Sequence, residues 1–130
     1  MSHHAEGTFE VKMQPVAEPA LAGISRMSMN KQYRGSLEAT AHGVFLSAGD
    51  PSLGEAGYVA MEQVTGTLDG HSGGFMLQHF ATMDRTGQHM QVRVVPGSGT
   101  GALTGLAGEL TVTIIEKQHR YTLEYTLPTE

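Results

Sequence analysis

The sequence predicts an all-β fold, a single antiparallel up-and-down β-barrel of about eight strands spanning residues 1–130. Three observations predict it. Glycine is abundant, with 17 in 130 residues, and divides the chain into segments of about a dozen residues or fewer. Most of these segments alternate apolar and polar residues, the period of a strand with one buried face. No stretch carries apolar residues at helical spacing for three turns without a glycine.

The elements follow in chain order. Phe9, Val11 and Met13 alternate with Thr8, Glu10 and Lys12 in the first strand. Two further alternating runs cover residues 24–34 and 36–48. Their inward parity is open, because Leu37, Ala39, Ala41 and Phe45 compete with Thr40, Val44 and Leu46. Residues 57–84 read as a hairpin with Asp69–Ser72 as its loop, so that Leu68 faces Gly73 and Glu62 faces His79. One face then carries Tyr58, Ala60, Glu62, Val64 and Leu68 against Met83, Ala81, His79, Leu77 and Phe75. A one-residue slip would turn this whole set outward. A tight turn within Arg85–Gln88 pairs Met83 with Met90 and Ala81 with Val92, which keeps the same face apolar. With Lys117 and Gln118 as the last turn, Ile114 faces Tyr121, Val112 faces Leu123 and Leu110 faces Tyr125. A single open sheet of this size would leave its apolar face wet, and no long helix is available to cover it. The sheet must therefore close, and consecutive hairpins favour an up-and-down barrel over a sandwich. About eight strands leave an interior that side chains can fill or that can hold one small ligand.

Composition narrows the function. The formal charge of −5 is spread through the chain and no basic stripe follows a phosphate backbone, so nucleic acid is not an expected partner. No apolar run approaches the roughly 18 residues of a membrane-spanning helix, and no membrane partner is expected. The chain has no cysteine, which excludes thiolate metal sites and cysteine nucleophiles and fits a reducing, cytoplasmic setting. His42, His71, His89 and His119 show no metal-ligand spacing. Neither metal nor organic cofactor is expected.

"GTFEVKM" at 7–13, "SLEATAHGVFLSAG" at 36–49, "AGYVAMEQVTGTLDGHSGGFMLQH" at 56–79 and "VVPGSGTGALTGLAGEL" at 94–110 carry a family resemblance. Together these segments resemble DUF3224, a bacterial family of small domains of unknown function. The resemblance implies a barrel similar to plant allene oxide cyclase and the dirigent proteins. Those proteins bind a hydrophobic small molecule and, where active, guide a cyclisation without metal or organic cofactor. The family itself has no assigned reaction, so the resemblance transfers no catalytic residues.

Three segments carry chemistry-bearing patterns. Gly70-His71-Ser72-Gly73-Gly74 fits the G-x-S-x-G pattern of a nucleophile elbow, but it falls between two strands instead of between a strand and a helix, and Ser72 is assigned to the turn. The glycine-rich segment 96–108 lacks the P-loop lysine and reads as a long crossing loop, a kind of segment that often serves as a lid. The third pattern is the pair Glu62 and His79. A carboxylate and an imidazole on an apolar inward face must satisfy one another, and the carboxylate then fixes the imidazole tautomer as in a general base. The same pair could equally be a register-fixing hydrogen bond. His42 could join Glu62 if the even residues of strand 36–48 point inward.

The expected function is binding of a hydrophobic small molecule in a pocket lined by Tyr58, Val64, Phe75, Leu77, Met83, Met90, Tyr121 and Tyr125. Two alternatives stand beside it. One is a cofactor-independent isomerase or cyclase-like enzyme with His79 as acid/base and Glu62 orienting it. The other is a packed structural or interaction module. On the outward face, Val59, Met61, Met76 and Phe80 form an apolar group, with Met61 opposite Phe80, which points to a homo-oligomer, most simply a two-fold dimer; the alternatives are the trimer that the resemblance to the plant cyclases implies and cover by the 96–108 loop or the N-terminal arm within one chain.

Overall fold

The computed structural model describes residues 2–15 and 23–128. Its strands are β1 (Ser2–Pro15), β2 (Ile24–Gly35), β3 (Leu37–Asp50), β4 (Glu55–Leu68), β5 (His71–Asp84), β6 (Gly87–Val94), β7 (Thr100–Gly101), β8 (Ala107–Ile115) and β9 (Gln118–Thr126). Each long strand pairs antiparallel with its sequence neighbour, and β9 returns to β1, so eight strands close into one barrel. β7 is the exception, a two-residue bridge on Gly73 and Gly74 of β5.

The β4–β5 hairpin is tighter than the sequence predicts, and the other two keep two-residue loops that lie one residue earlier in the chain. Leu68 pairs with His71, so the β4–β5 loop is only Asp69-Gly70. Both residues have positive φ, as a type I′ turn requires. Ser72 therefore lies in β5 opposite Thr67, exposed, and not in the turn. The β5–β6 loop is Arg85-Thr86, held by the Asp84 carboxylate accepting from the Thr86 N–H at 2.8 Å. The β8–β9 loop is Glu116-Lys117, again with two positive φ values but without glycine. Each register is thereby displaced by two residues. Glu62 faces Leu77, His79 faces Ala60, Ala81 faces Met90 and Val112 faces Tyr121. A two-residue displacement preserves the face, so the inward sets are unchanged.

Parity in β2 and β3 is odd. Leu37, Ala39, Ala41, Met29, Lys31 and Tyr33 are buried, while His42 is exposed and bonded to Asn30 at 2.5 Å. His42 therefore points away from Glu62.

One end of the barrel is plugged by its own loop. Where β6 stops, the segment after it runs along β5, with the Val95 N–H bonded to the Met76 carbonyl at 2.9 Å and the Ala102 N–H to that of Ser72 at 2.8 Å. Leu103 and Leu106 are driven into the core beside Leu37, Leu68, Phe75 and Leu127. Tyr121 accepts from the Leu37 N–H at 2.8 Å, and the Tyr125 hydroxyl donates to the Asp69 carboxylate. Two tyrosines thus tie β9 to the β2–β3 and β4–β5 turns at this end.

Candidate functional site

The opposite end is hollow. A cavity of about 420 Å³ opens among Met27, Phe45, Tyr58, Ala81, Met83 and Met90, with Met13 and the β3–β4 turn at its rim. Phe45 and Tyr58 stack across β3 and β4 with ring centroids 4.3 Å apart. The lining is apolar because these residues continue the inward parity of β2 to β6 past the last core layer.

Beneath the cavity, four polar side chains meet in the interior. Glu62 on β4 is 1% exposed, His79 on β5 4% and Lys31 on β2 8%; Tyr33, two residues along β2 from Lys31, is fully buried. The Glu62 carboxylate is the hub. Its Oε1 lies 2.7 Å from His79 Nε2 and 3.0 Å from Lys31 Nζ, and its Oε2 accepts from the Tyr33 hydroxyl. Lys31 Nζ also lies 3.4 Å from the Tyr33 oxygen and 4.7 Å from the Phe9 ring centroid, a cation–π contact. Alternation on the strands assembles the cluster. Lys31 and Tyr33 share the inward face of β2, and Glu62 and His79 reach each other diagonally across β4 and β5.

The electrostatics follow from these contacts. Burial pushes the Glu62 carboxyl upward, but the His79 hydrogen bond, the Lys31 charge and the Tyr33 hydrogen bond outweigh it and hold the group below its ordinary value. Burial, followed by the charge of Glu62 and its hydrogen bond, pushes the Tyr33 phenol well up. Glu62 is therefore an anion and accepts only, so His79 Nε2 carries the proton. Lys31 already balances Glu62. With Nε2 engaged by Glu62, Nδ1 is the ring atom left for a further hydrogen bond, and it accepts in the tautomer that donates from Nε2. Nδ1 has no hydrogen-bond partner among the described residues, and no enclosed polar side-chain atom among them lacks one. Nδ1 is therefore the atom of the cluster that a water or ligand can reach.

The structure separates the expected pocket residues into two groups. Tyr58, Met83 and Met90 line the cavity. Val64, Phe75, Leu77, Tyr121 and Tyr125 sit in the packed core below it. Met13, Met27 and Phe45 line it too, as do the polar residues Ser47, Thr82, Gln88 and His89, and the sequence analysis does not place them there. Nor did it find Lys31 or Tyr33. The signal available was the need of an inward carboxylate for a counter-charge, together with the spacing of Lys31 and Tyr33, which puts both on one strand face. On the outer surface, Val59 pairs with Phe80, Met61 with Gln78 and Gln63 with Met76, which corrects the expected Met61–Phe80 pair. Among the described residues no group of three or more His, Asp or Glu side chains is placed to hold a metal ion. No helix among them is long and apolar enough to cross a membrane.

Fold and site together define a small closed antiparallel barrel, plugged at one end, hollow at the other, with a charge-balanced polar cluster between. The chain belongs to the DUF3224 family, described as a protein of unknown function, whose pattern matches residues 5–125. It is similar to a crystal structure, at 1.84 Å resolution, of a protein with unknown function from that family from Shewanella oneidensis MR-1. The two are 39% identical, with a TM-score of 0.87 and 98% of each chain covered. No curated protein matches the chain.

Proposed function

We propose that the barrel binds a hydrophobic small molecule in the cavity at its hollow end. The observation that carries this is the cavity itself, an apolar space of about 420 Å³ above a buried polar cluster. Ligand sites characteristically combine an apolar wall of roughly 300–1,000 Å³ with a few fixed polar groups. Native mass spectrometry of freshly purified protein is the test. A co-purified adduct, lost on organic extraction and regained on adding the extract back, is the expected result. A bare mass of 13.9 kDa per chain, whatever the assembly, with no saturable binding of the apolar fluorophore 1-anilinonaphthalene-8-sulfonate, would refute the reading.

A second reading makes the same site catalytic. It is favoured by the 2.7 Å Glu62–His79 contact together with the unpartnered Nδ1. In that arrangement Nδ1 takes a proton from a bound substrate and returns it elsewhere on the same molecule, an isomerisation or cyclisation without cofactor. Loss of turnover in Glu62→Gln and His79→Ala, with binding retained, would separate catalysis from binding alone.

Assembly through the outer face of β3 to β5 belongs to the same proposal. Val59, Met61, Met76 and Phe80 are 47%, 46%, 38% and 57% exposed, and Leu46 and Val44 on β3 stand beside Val59 and Met61. A contiguous apolar surface on three strands supports a two-fold homodimer.

A further inference from the structure

One layer of inward side chains separates the cavity from the buried cluster. On β4 it is Ala60, between Tyr58 and Glu62; on β5 it is Ala81, between Met83 and His79. On β3 it is Gly43, which pairs with Glu62. None of these has a side chain beyond Cβ. On β2 the layer is Met29, between Met27 and Lys31, and it is 5% exposed. Its Cε lies across Gly43, 2.9 Å from where a Cβ on that glycine would stand. On β2 to β5 the one bulky group of this layer is thus an unbranched thioether with three rotatable bonds, a side chain suited to swing aside and repack.

The cluster below offers one kind of contact. Lys31 is matched by Glu62 and faces Tyr33 and the Phe9 ring, so it presents no free positive charge. Glu62 accepts from three neighbours. The available valence is the acceptor at His79 Nδ1. A carboxylate or an ammonium entering this layer would find no counter-charge, and a bare carbonyl would find no donor.

Resting on the binding reading above, we infer that the ligand is an uncharged apolar molecule ending in a hydroxyl, and that this hydroxyl passes Met29 and donates its hydrogen bond to His79 Nδ1. Met29 is then the gate that sets how deep the ligand enters, and His79 the residue that selects its polar end.

The test uses three probes of one shape, 1-naphthol, naphthalene and 1-naphthoate, titrated calorimetrically into the full chain. Wild type should bind naphthol roughly three- to tenfold more tightly than naphthalene, the range of one net hydrogen bond, and naphthoate most weakly. His79→Phe should erase the naphthol advantage. Because that variant leaves Glu62 short of a partner, at the risk of misfolding, Met29→Phe is the parallel probe. It leaves the cluster intact and should reduce naphthol to the affinity of naphthalene. In ¹⁵N-labelled wild type, naphthol should shift the His79 Nδ1 resonance upfield and naphthalene should not. Equal binding of naphthol and naphthalene, or preference for naphthoate, overturns the hydroxyl inference while binding itself stands. A naphthol preference that survives Met29→Phe with Nδ1 unmoved overturns it as well. Failure of all three probes to bind removes the binding reading and this inference together.

Discussion

Replacing Lys31 with methionine tests the energetic centre of the barrel. Methionine keeps the stem packed against Phe9 and removes only the ammonium. Lys31 Nζ and Glu62 Oε1 are 3.0 Å apart and their side chains are 5% and 0% exposed. At that separation the attraction is about 5.5 kcal/mol for an effective dielectric near 20. Removing the ammonium also removes its own desolvation cost, so the whole attraction is not lost. What remains is a carboxylate enclosed with only His79 and Tyr33, and removing one partner of a buried pair costs roughly 3–5 kcal/mol. That is a large part of the ~5–15 kcal/mol that holds a domain folded, and corresponds to a fall in Tm of roughly 10–20 °C. Urea unfolding followed by circular dichroism measures it at pH 7. Two controls make the reasoning refutable. Lys31→Met combined with Glu62→Gln should cost less than the sum of the single changes, because the orphaned charge is gone. The deficit of Lys31→Met should also shrink at low pH, where Glu62 is protonated in wild type too. A single-variant cost below about 1 kcal/mol, or strict additivity in the double variant, would show that the pair does not act as a buried ion pair.

Four further outcomes are expected. Glu62 is held below its ordinary value of 4.5, so its contribution to stability is present above that pH and lost as pH falls through the lower folded value; Glu62→Gln should flatten this acid limb in a pH series of urea midpoints. Tyr33 is raised above 10.0, so the unfolded chain loses its phenolic proton first and stability should fall as pH rises past 10.0, a limb missing in Tyr33→Phe. Leu106→Ala removes a plug residue that is 2% exposed and should cost roughly 2–5 kcal/mol, with faster amide exchange in β7 and at Gly73 and Gly74; an unchanged urea midpoint would mean that the loop does not seal the barrel. Phe80→Lys should convert a dimer to a monomer near 13.9 kDa by light scattering at micromolar concentration, whereas a wild-type monomer rejects the interface outright.

The barrel was legible because strand period and strand closure are both written in side-chain order. Tyr58, Glu62, Val64 and His79 lie on the inward face that alternation assigns to them. Register was not legible, and the three hairpins show why. Period two fixes the face but is blind to a shift of two residues, so only turn chemistry can choose between neighbouring registers. At Asp69-Gly70 that chemistry was present, since this dipeptide is the strongest signal for a type I′ turn, but the glycines at 73 and 74 compete with it. Gly73 and Gly74 instead make room for the loop, because a Cβ on Gly73 would collide with the Thr100 carbonyl. At Glu116-Lys117 no signal existed. Two ordinary residues are held at positive φ by the strands on either side. In β3 the odd residues Leu37, Ala39, Ala41 and Phe45 compete with Val44 and Leu46 of the even set, and in β2 the buried odd face, which holds Met27, Met29 and Tyr33, is also the one that contains a lysine. A residue-by-residue preference for burying apolar side chains points away from Lys31, and only the charge of Glu62, two strands away, makes its burial favourable.

The position of the cluster argues that it is more than a rivet. For stability alone, well-packed apolar residues of similar volume usually do as well as a buried ion pair, or better. A purely structural cluster would also be closed over by large side chains, as at the plugged end, where Leu103 and Leu106 fill the core and Tyr121 and Tyr125 bond to the turns. Above Glu62 and His79 the barrel does the opposite. On β3 to β5 it places Gly43, Ala60 and Ala81 in the covering layer, sets Met29 beside them on β2, and opens a cavity of about 420 Å³ beyond them. Refilling that layer is the direct test. Ala60→Leu and Ala81→Leu should occupy space next to the cavity and leave the Lys31–Glu62–His79 contacts in place. If the hollow end serves only packing, these variants should gain stability by the added burial, roughly 1–2 kcal/mol, with nothing lost. If it serves a ligand, the adduct seen by native mass spectrometry should disappear from the same variants while they remain folded. Retention of the adduct in a folded Ala60→Leu, Ala81→Leu double variant would place the ligand elsewhere on the molecule.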